Sequence, residues 1–185
     1  MRASASTSVG STFEHWNRGL IRRDAVDSGP ITNQTIADLN ALNQPGAHAV
    51  VAPGTNDAAL IANGTRTFQQ VANQILASMN QALFTSTGCL IMVMPAVHTF
   101  TQWNDDLMDV RDAIQFVSAA KNTELGQNRV HVADFHQVRL DAGSPESWFQ
   151  GNTGQDPHLT GDGYGRYLDL IFLYTAAAKN GSLGC

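Results

Sequence analysis

The sequence has few charged residues, and basic residues are the scarcer kind. Charged residues make up 15% of the 185 positions, the formal net charge is −5, and lysine occurs only at positions 121 and 179. The only two adjacent basic residues are Arg22 and Arg23, which fit a solvated helix end. A chain without a basic cluster is not expected to bind nucleic acid.

Long hydrophobic runs are also missing. The longest, Cys89 to Val97, has about half of the ~20 residues that a transmembrane helix needs, so no membrane span is predicted. Residues 1–10 lack the apolar core of a signal peptide. Scarce lysine together with abundant asparagine and glutamine mildly favours an exported protein, but the sequence does not fix the compartment.

Cysteine is rare, and the histidines are scattered. Cys89 and Cys185 could pair, but two residues do not make a disulfide framework. Cys89 opens an apolar run and is also interpreted as a small buried hydrophobe. His15, His48 and His131 have no metal-ligand spacing, so no metal site is expected from them.

The chain does contain enough apolar material for a core. Hydrophobic residues account for 43% of the sequence, which is typical of a globular protein. The length predicts one domain over residues 1–185. The oligomeric state is not indicated.

Strand and helix patterns alternate along most of the chain. Ser11 and Glu14 form a capping-box pattern, and the helical spacing of Phe13, Trp16 and Leu20 predicts a helix to about Arg23. Residues 2–7 are at most a weak strand. Further strands are predicted at Ala25-Val26, His48–Ala52, Cys89–Ala96 and Arg129–Phe135, and helices at Thr35–Leu42, Thr67–Phe84, from Asn104 or Asp105 to about Asn122, and Tyr164–Lys179.

This alternation predicts an α/β fold with a parallel sheet and helices on both faces. Such sheets bind ligands at the carboxyl ends of their strands. Gly29, Asn56, the residues after Ala96 and a loop from His136 to Leu159 all fall at predicted strand ends. A loop as long as the last one is usually functional or disordered.

Two motifs carry most of the functional signal. Gly54-Thr55-Asn56-Asp57 follows a short apolar strand, and His158-Leu159-Thr160-x-x-Gly163-Tyr164 precedes the final helix. Together, in this order, they resemble the SGNH (GDSL-type) esterase and lipase family. The resemblance runs over nearly the whole chain and implies a flavodoxin-like, three-layer sandwich with a parallel sheet of about five strands, the first of them weak or missing.

The resemblance also implies a serine ester hydrolase with a triad of Ser8, Asp156 and His158. The oxyanion hole would consist of the N–H groups of Ser8 and Gly29 and the side-chain amide of Asn56. The substrate would be a small-molecule, carbohydrate or lipid ester, and the acyl-enzyme mechanism needs no metal or organic cofactor.

The sequence departs from the family pattern at the nucleophile. The Gly-Asp-Ser block is absent, and Ser6-Thr7-Ser8-Val9-Gly10 stands in its place. Ser8 aligns best because Val9-Gly10 and the predicted helix follow it, as they follow the family's serine, while Ser6 and Ser11 remain alternatives. Ser11 also has a competing role as a helix cap.

The second departure concerns the acid of the triad. The family's aspartate lies three residues before the histidine, where this chain has Gln155, and Asp156 is only two residues away. Pro157 pushes Asp156 towards an extended conformation. Residues two apart in an extended chain face the same side, so Asp156 could reach the Nδ1–H of His158.

Several other residues near the predicted strand ends have open roles. Asp134 and His136 repeat the Asp-x-His spacing and are interpreted as a structural pair or as substrate contacts, and His98 is a candidate for lining the pocket. Trp103 and Trp148 would either cover the substrate or anchor loops.

Two other functional classes are alternatives to the esterase. A non-catalytic binding or scaffold domain would explain the degenerate nucleophile block. An α/β-hydrolase is disfavoured, because its nucleophile follows several strands whereas every serine candidate here precedes them.

Overall fold

The computed structural model describes residues 2–6, 12–16, 48–85, 87–95, 104–150 and 158–185. It contains strands β1 (Arg2–Ser6), β2 (Thr12–Trp16), β3 (Ala49–Val51), β4 (Leu90–Met94) and β5 (Val130–Asp134). The helices are α1 (Thr55–Ala62), α2 (Phe68–Thr85), α3 (Asn104–Leu125), α4 (Phe135–Asp141) and α5 (Gly161–Lys179), with a short 3₁₀ helix at Glu146–Trp148. The described part of the chain is therefore a mixed α/β protein.

Three strands form a parallel sheet in the order β3-β4-β5. Ala49 is aligned with Leu90, and Leu90 in turn with Val130. β4 is the central strand, and all five of its residues are buried. The continuous apolar run predicted a strand covered on both faces, and the structure confirms that prediction.

Two clusters of buried side chains lie on opposite faces of this sheet. Leu90, Met92 and Met94 pack with residues of α2 and α3, while Ile91 and Val93 pack with residues of α5 and of the segment before it. Successive side chains of a strand point to opposite faces, so β4 contributes to both clusters, as β5 does through Val130 and Ala133. The helix predictions for α2, α3 and α5 are confirmed.

One helix prediction is wrong. Thr12–Trp16 is strand β2, paired antiparallel with β1 in the register Arg2 with Trp16, so the helix predicted after Ser8 does not form over these residues. The β-branched and aromatic residues Thr12, Phe13 and Trp16 favour a strand, and this preference outweighs the capping-box pattern. Residues 2–6 do form a strand, but in this two-stranded sheet rather than beside β3.

The predicted long loop from His136 to Leu159 is also wrong in part. Asp134 caps helix α4, because its carboxylate accepts a hydrogen bond of 3.0 Å from the backbone N–H of Gln137. The 3₁₀ helix follows, and Phe149 forms an antiparallel bridge with Leu159. The predicted strand at Ala25-Val26 and the predicted helix Thr35–Leu42 lie outside the described residues.

Stacked aromatic rings fill the face covered by α5. Phe135 stacks on Trp148 at a centroid distance of 5.9 Å and meets the ring of Tyr167 edge-on at 5.2 Å. Burial raises the pKa of Tyr167 to about 12. The hydroxyl of Tyr174 donates to the carbonyl of Val132 at 2.8 Å, which ties α5 to β5.

A disulfide joins Cys89, at the start of β4, to Cys185, with a Cα–Cα distance of 5.4 Å. This settles the question of pairing that the sequence left open. Among the helices that the structure describes, none combines the length and the apolar composition needed to cross a membrane.

Candidate functional site

After the carboxyl end of β3, Ala52 and Pro53 lead to a helix that begins at the Gly54–Asp57 motif. Gly54 has a left-handed φ of 107° and is the N-cap of α1, and its carbonyl accepts a hydrogen bond of 3.2 Å from the N–H of Ala58. A Cβ on Gly54 would collide with Cγ1 of Val110 on α3. Both the conformation and this close approach require glycine at position 54.

Asn56 is the second residue of α1; its side chain lies outside what the structure describes. The backbone N–H groups of a first helical turn have no partner within the helix and carry partial positive charge. Asp57, the next residue, is completely buried, and an acidic residue in a first turn is favoured by the helix dipole. The motif therefore begins a helix at the edge of the sheet where ligands are expected.

Arg111 of α3 connects the carboxyl ends of β4 and β5. The sequence did not predict its ion pair with Asp134. Arg111 of α3 donates to both carboxylate oxygens of Asp134, at 2.6 and 2.9 Å. It also donates to the carbonyl of Pro95 at 3.3 Å. Arg111 is buried, with a side-chain exposure of 8%, against 24% for Asp134.

Electrostatics at this edge favour an ionised Asp134. Burial by itself would raise the pKa of Asp134, but hydrogen bonds from Arg111 and Gln137 and the nearby charges of Arg111 and His136 bring it below its ordinary value. Asp134 therefore pairs with Arg111 rather than with His136, and its carboxylate also caps α4. The half-buried His136 lies close enough to influence it.

His158 is exposed, and hydrogen bonds position its backbone. Its carbonyl accepts a hydrogen bond of 2.8 Å from the N–H of Gln150. Thr160 accepts from the N–H of Gly163 at 3.3 Å as the N-cap of α5, and its hydroxyl donates to the carbonyl of Ser147 at 2.8 Å. These contacts fix the segment that carries His158 against the 3₁₀ helix.

Gly163 of the second motif has a packing role. A Cβ at this position would collide with the backbone carbonyl of Trp148 and would lie 3.1 Å from Cδ2 of Leu159. The first turn of α5 thus rests directly on the chain at Trp148. Trp148 itself is buried and stacked on Phe135, so it anchors the segment, as one of the two sequence interpretations held.

The remaining predicted site residues are not brought together by the described part of the chain. Ser8, Gly29 and Asp156 lie outside the described residues, as do the alternatives Ser11 and Gln155 and the pocket candidates His98 and Trp103. Ser6, the other alternative nucleophile, is the last residue of β1.

Arg111 is the residue at this edge that sequence reasoning missed. Its signal is its spacing: it lies four residues after Leu107 and three before Ile114, within the buried face of α3. A cation on an apolar helix face needs a buried partner. For Arg111 that partner is the carboxylate of Asp134, at the end of β5.

Comparison of the chain with family models, with curated proteins and with solved structures finds no match. The class that the structure itself defines is the mixed α/β protein with a three-stranded parallel sheet and helices. Any assignment of activity therefore has to come from the residues at the edge of the sheet.

Proposed function

We propose that this chain is a serine ester hydrolase of the SGNH (GDSL-type) class, acting on a small-molecule, carbohydrate or lipid ester. One observation carries the proposal: the Gly54–Asp57 motif begins a helix at the carboxyl end of a parallel strand. Ligands of parallel sheets bind at this edge. The second motif, His158 to Tyr164, stands immediately before and within the first turn of the closing helix.

The proposal includes a finer description of the fold. The parallel order β3-β4-β5, with buried clusters on both faces, is compatible with the last three strands of a flavodoxin-like sheet of about five strands in a three-layer sandwich. Within the described residues, β3 has β4 as its one strand partner. Its other edge is where an additional strand would join.

The first supporting argument concerns the oxyanion hole. The left-handed Gly54 and its close approach to Val110 fix the point at which α1 begins. A fixed helix start gives the Asn56 side chain a defined origin, and oxyanion-hole donors act because they are oriented before the reaction. In the proposed site, the Asn56 amide and the N–H groups of Ser8 and Gly29 hold the developing oxyanion.

The second supporting argument concerns the general base. The hydrogen bonds from Gln150 to the His158 carbonyl and from Thr160 to Ser147 hold the backbone at His158 and two residues after it. A general base has to be within hydrogen-bond reach of the proton it accepts, so positioning of this kind is required. In the proposed site, Asp156 orients the ring through Nδ1.

The proposed reaction is acyl transfer to water. His158 accepts the hydroxyl proton of Ser8 while the serine oxygen attacks the ester carbonyl, and the alcohol leaves with that proton. Water then attacks the acyl-enzyme, His158 accepting its proton in turn, and the carboxylic acid and free Ser8 are released. Each oxyanion donor contributes about 2.7–4 kcal/mol to the lowering of the barrier.

Labelling with a fluorophosphonate tests the proposal directly. We expect one covalent adduct that peptide mapping assigns to Ser8, and turnover of p-nitrophenyl acetate by the untreated protein. Ser8→Ala and His158→Ala should each abolish labelling, whereas Ser182→Ala, which removes an exposed hydroxyl after α5, should label like the wild type. Mapping also separates Ser8 from Ser6 and Ser11.

A second variant set tests the oxyanion hole. Asn56→Ala should lower kcat for p-nitrophenyl acetate by about 10²–10³-fold, with the melting temperature close to that of the wild type. Asn73→Ala, on an exposed position of α2, is the matched control and should leave kcat unchanged. Equal activity of both variants would remove Asn56 from the mechanism.

One observation favours the alternative of a non-catalytic binding or scaffold domain. Ser8 falls in sequence between β1 and β2, which pair antiparallel in a sheet of their own. In the SGNH family that the chain resembles, the nucleophile instead follows a strand of the parallel sheet. Absence of both fluorophosphonate labelling and esterase turnover would favour this alternative.

A further inference from the structure

Two sulfur atoms and an imidazole nitrogen meet at the amino-terminal edge of the sheet. Cys89 and Cys185 form the disulfide, and Nε2 of His131 lies 3.5 Å from Sγ of Cys185. The three potential ligand atoms all lie within 4.8 Å of one another. This edge is opposite to the one that carries Gly54 and Asp134.

The parallel register of the sheet explains why these residues converge. Cys89 immediately precedes β4, and His131, the second residue of β5, is aligned with Ile91. Cys185 returns to this edge after α5 through a turn in which the N–H of Leu183 donates to the carbonyl of Ala177 at 3.3 Å. Two of the three residues are thus fixed by neighbouring strands.

The imidazole is also oriented. Nε2 of its ring faces the sulfur of Cys185, so this nitrogen lies on the side where a cation held by the two sulfur atoms would bind.

We propose that reduction of the disulfide converts this cluster into a binding site for a zinc-like divalent cation. The ligands are the thiolates of Cys89 and Cys185 and Nε2 of His131. Thiolate and imidazole are the ligands that Zn²⁺ prefers, and three protein ligands leave a fourth tetrahedral position for water.

The chemistry balances with a dithiol as reductant. The dithiol supplies two electrons and two protons, the Cys89–Cys185 bond breaks to give two thiols, and the dithiol becomes a disulfide. Binding of the cation then releases the two thiol protons to solvent, and the cation keeps its charge. Disulfide and bound cation exclude each other because they use the same two sulfur atoms.

The rearrangement that this site needs is small. A tetrahedral Zn²⁺ with Zn–S bonds of about 2.3 Å places two sulfurs roughly 3.7 Å apart, compared with about 2.05 Å in a disulfide. Cys89 is completely buried, whereas Cys185 is exposed and follows Gly184, which has a φ of 74°. Movement of Cys185 alone by less than about 2 Å provides the separation.

The test uses Co²⁺ as an optical probe on the full chain. The protein is reduced, freed of reductant under anaerobic conditions and titrated with Co²⁺. We expect thiolate-to-cobalt charge-transfer absorbance that saturates at one equivalent and disappears when Zn²⁺ is added. The oxidised protein should show none. A reduced wild type without this absorbance overturns the proposal.

Variants identify the ligands. His131→Asn and Cys185→Ser should each weaken Co²⁺ binding at least tenfold or change its spectrum, while His136→Asn, in α4 beyond the carboxyl end of β5, should titrate like the wild type. Wild-type behaviour of either ligand variant overturns the proposal. Circular dichroism is recorded in parallel, and a reduced chain that is unfolded and stays unfolded after Co²⁺ addition overturns it as well. None of these readouts depends on ester hydrolysis.

Discussion

Replacing Asp134 by asparagine removes one charge from the edge of the sheet and little else. The amide has nearly the same shape, and asparagine is as good an N-cap as aspartate, so the hydrogen bond from the N–H of Gln137 can persist. Arg111, however, loses its bidentate carboxylate partner. The substitution therefore measures what the ion pair contributes to stability.

The expected loss is large for a single substitution. Removing one partner of a buried ion pair costs roughly 3–5 kcal/mol, because the other charge is left buried without compensation. Asp134 retains a side-chain exposure of 24%, and the amide oxygen still accepts one hydrogen bond from Arg111. We therefore expect about 3 kcal/mol, near the lower end of that range.

The loss should depend on pH in a defined direction. The pKa of Asp134 in the folded protein lies below its ordinary value of 3.8, so folding favours the ionised form. The resulting stabilisation is fully present above the unfolded-state pKa and is lost as pH falls through the folded-state pKa. The difference between wild type and Asp134→Asn should be constant from neutral pH down to about 5 and shrink below about 4.

Chemical denaturation at a series of pH values measures this difference. Asp112→Asn is the matched control, because Asp112 is the exposed neighbour of Arg111 on α3 and loses the same charge. It should change the free energy of unfolding by less than about 0.5 kcal/mol. A loss below about 1 kcal/mol for Asp134→Asn at pH 7, or one that is undiminished at pH 3, would refute the reasoning.

Two further predictions concern stability. Cys185→Ser removes the disulfide without opening a cavity at Cys89. It should lower the free energy of unfolding by up to about 4.7 kcal/mol, the chain-entropy value for a loop of this length. The denaturation midpoint of the wild type in reductant should fall by the same amount, and an unchanged midpoint would contradict this prediction. Gly163→Ala should destabilise by about 1–3 kcal/mol through its collision with Trp148, whereas Gly165→Ala, which has open space, should be neutral or stabilising by thermal melting.

Sequence patterns predicted the helices and strands whose residues strongly favour one type of secondary structure. β4 is a continuous apolar run buried on both faces, and α2 carries Val71, Ile75 and Met79 at helical spacing, all buried. The closing helix was marked by its caps, with Thr160 at the N-cap and a left-handed Gly181 after its end. In each case the local preference and the burial pattern agree.

The errors arose where local signals conflict. The segment Thr12–Trp16 overlaps a helix-capping pattern but consists largely of residues that prefer strands. Pairing with β1 stabilises it as a strand. Helix α4 was missed because it follows β5 without an intervening residue. The signal for it is Asp134, because aspartate is a preferred N-cap residue.

The site was predictable in parts. Asn56 and His158 could be singled out from motifs, and the structure gives both a defined backbone setting. The bond between Arg111 and Asp134 could not be predicted, because it joins residues 23 apart in sequence and depends on how α3 packs across two strand ends. The catalytic roles of Asn56 and His158, like those of Ser8, Gly29 and Asp156, stay predictions.

The Cys89–Cys185 bond closes β4, α3, β5, α4 and α5 into one covalent ring, since its two ends are 96 positions apart in sequence. A protease that cuts once anywhere inside this ring releases nothing: both pieces stay linked and migrate together in electrophoresis until a thiol is added. Nicked molecules therefore keep every helix of the ring attached to the sheet, and damage to a surface segment need not separate the halves of the fold.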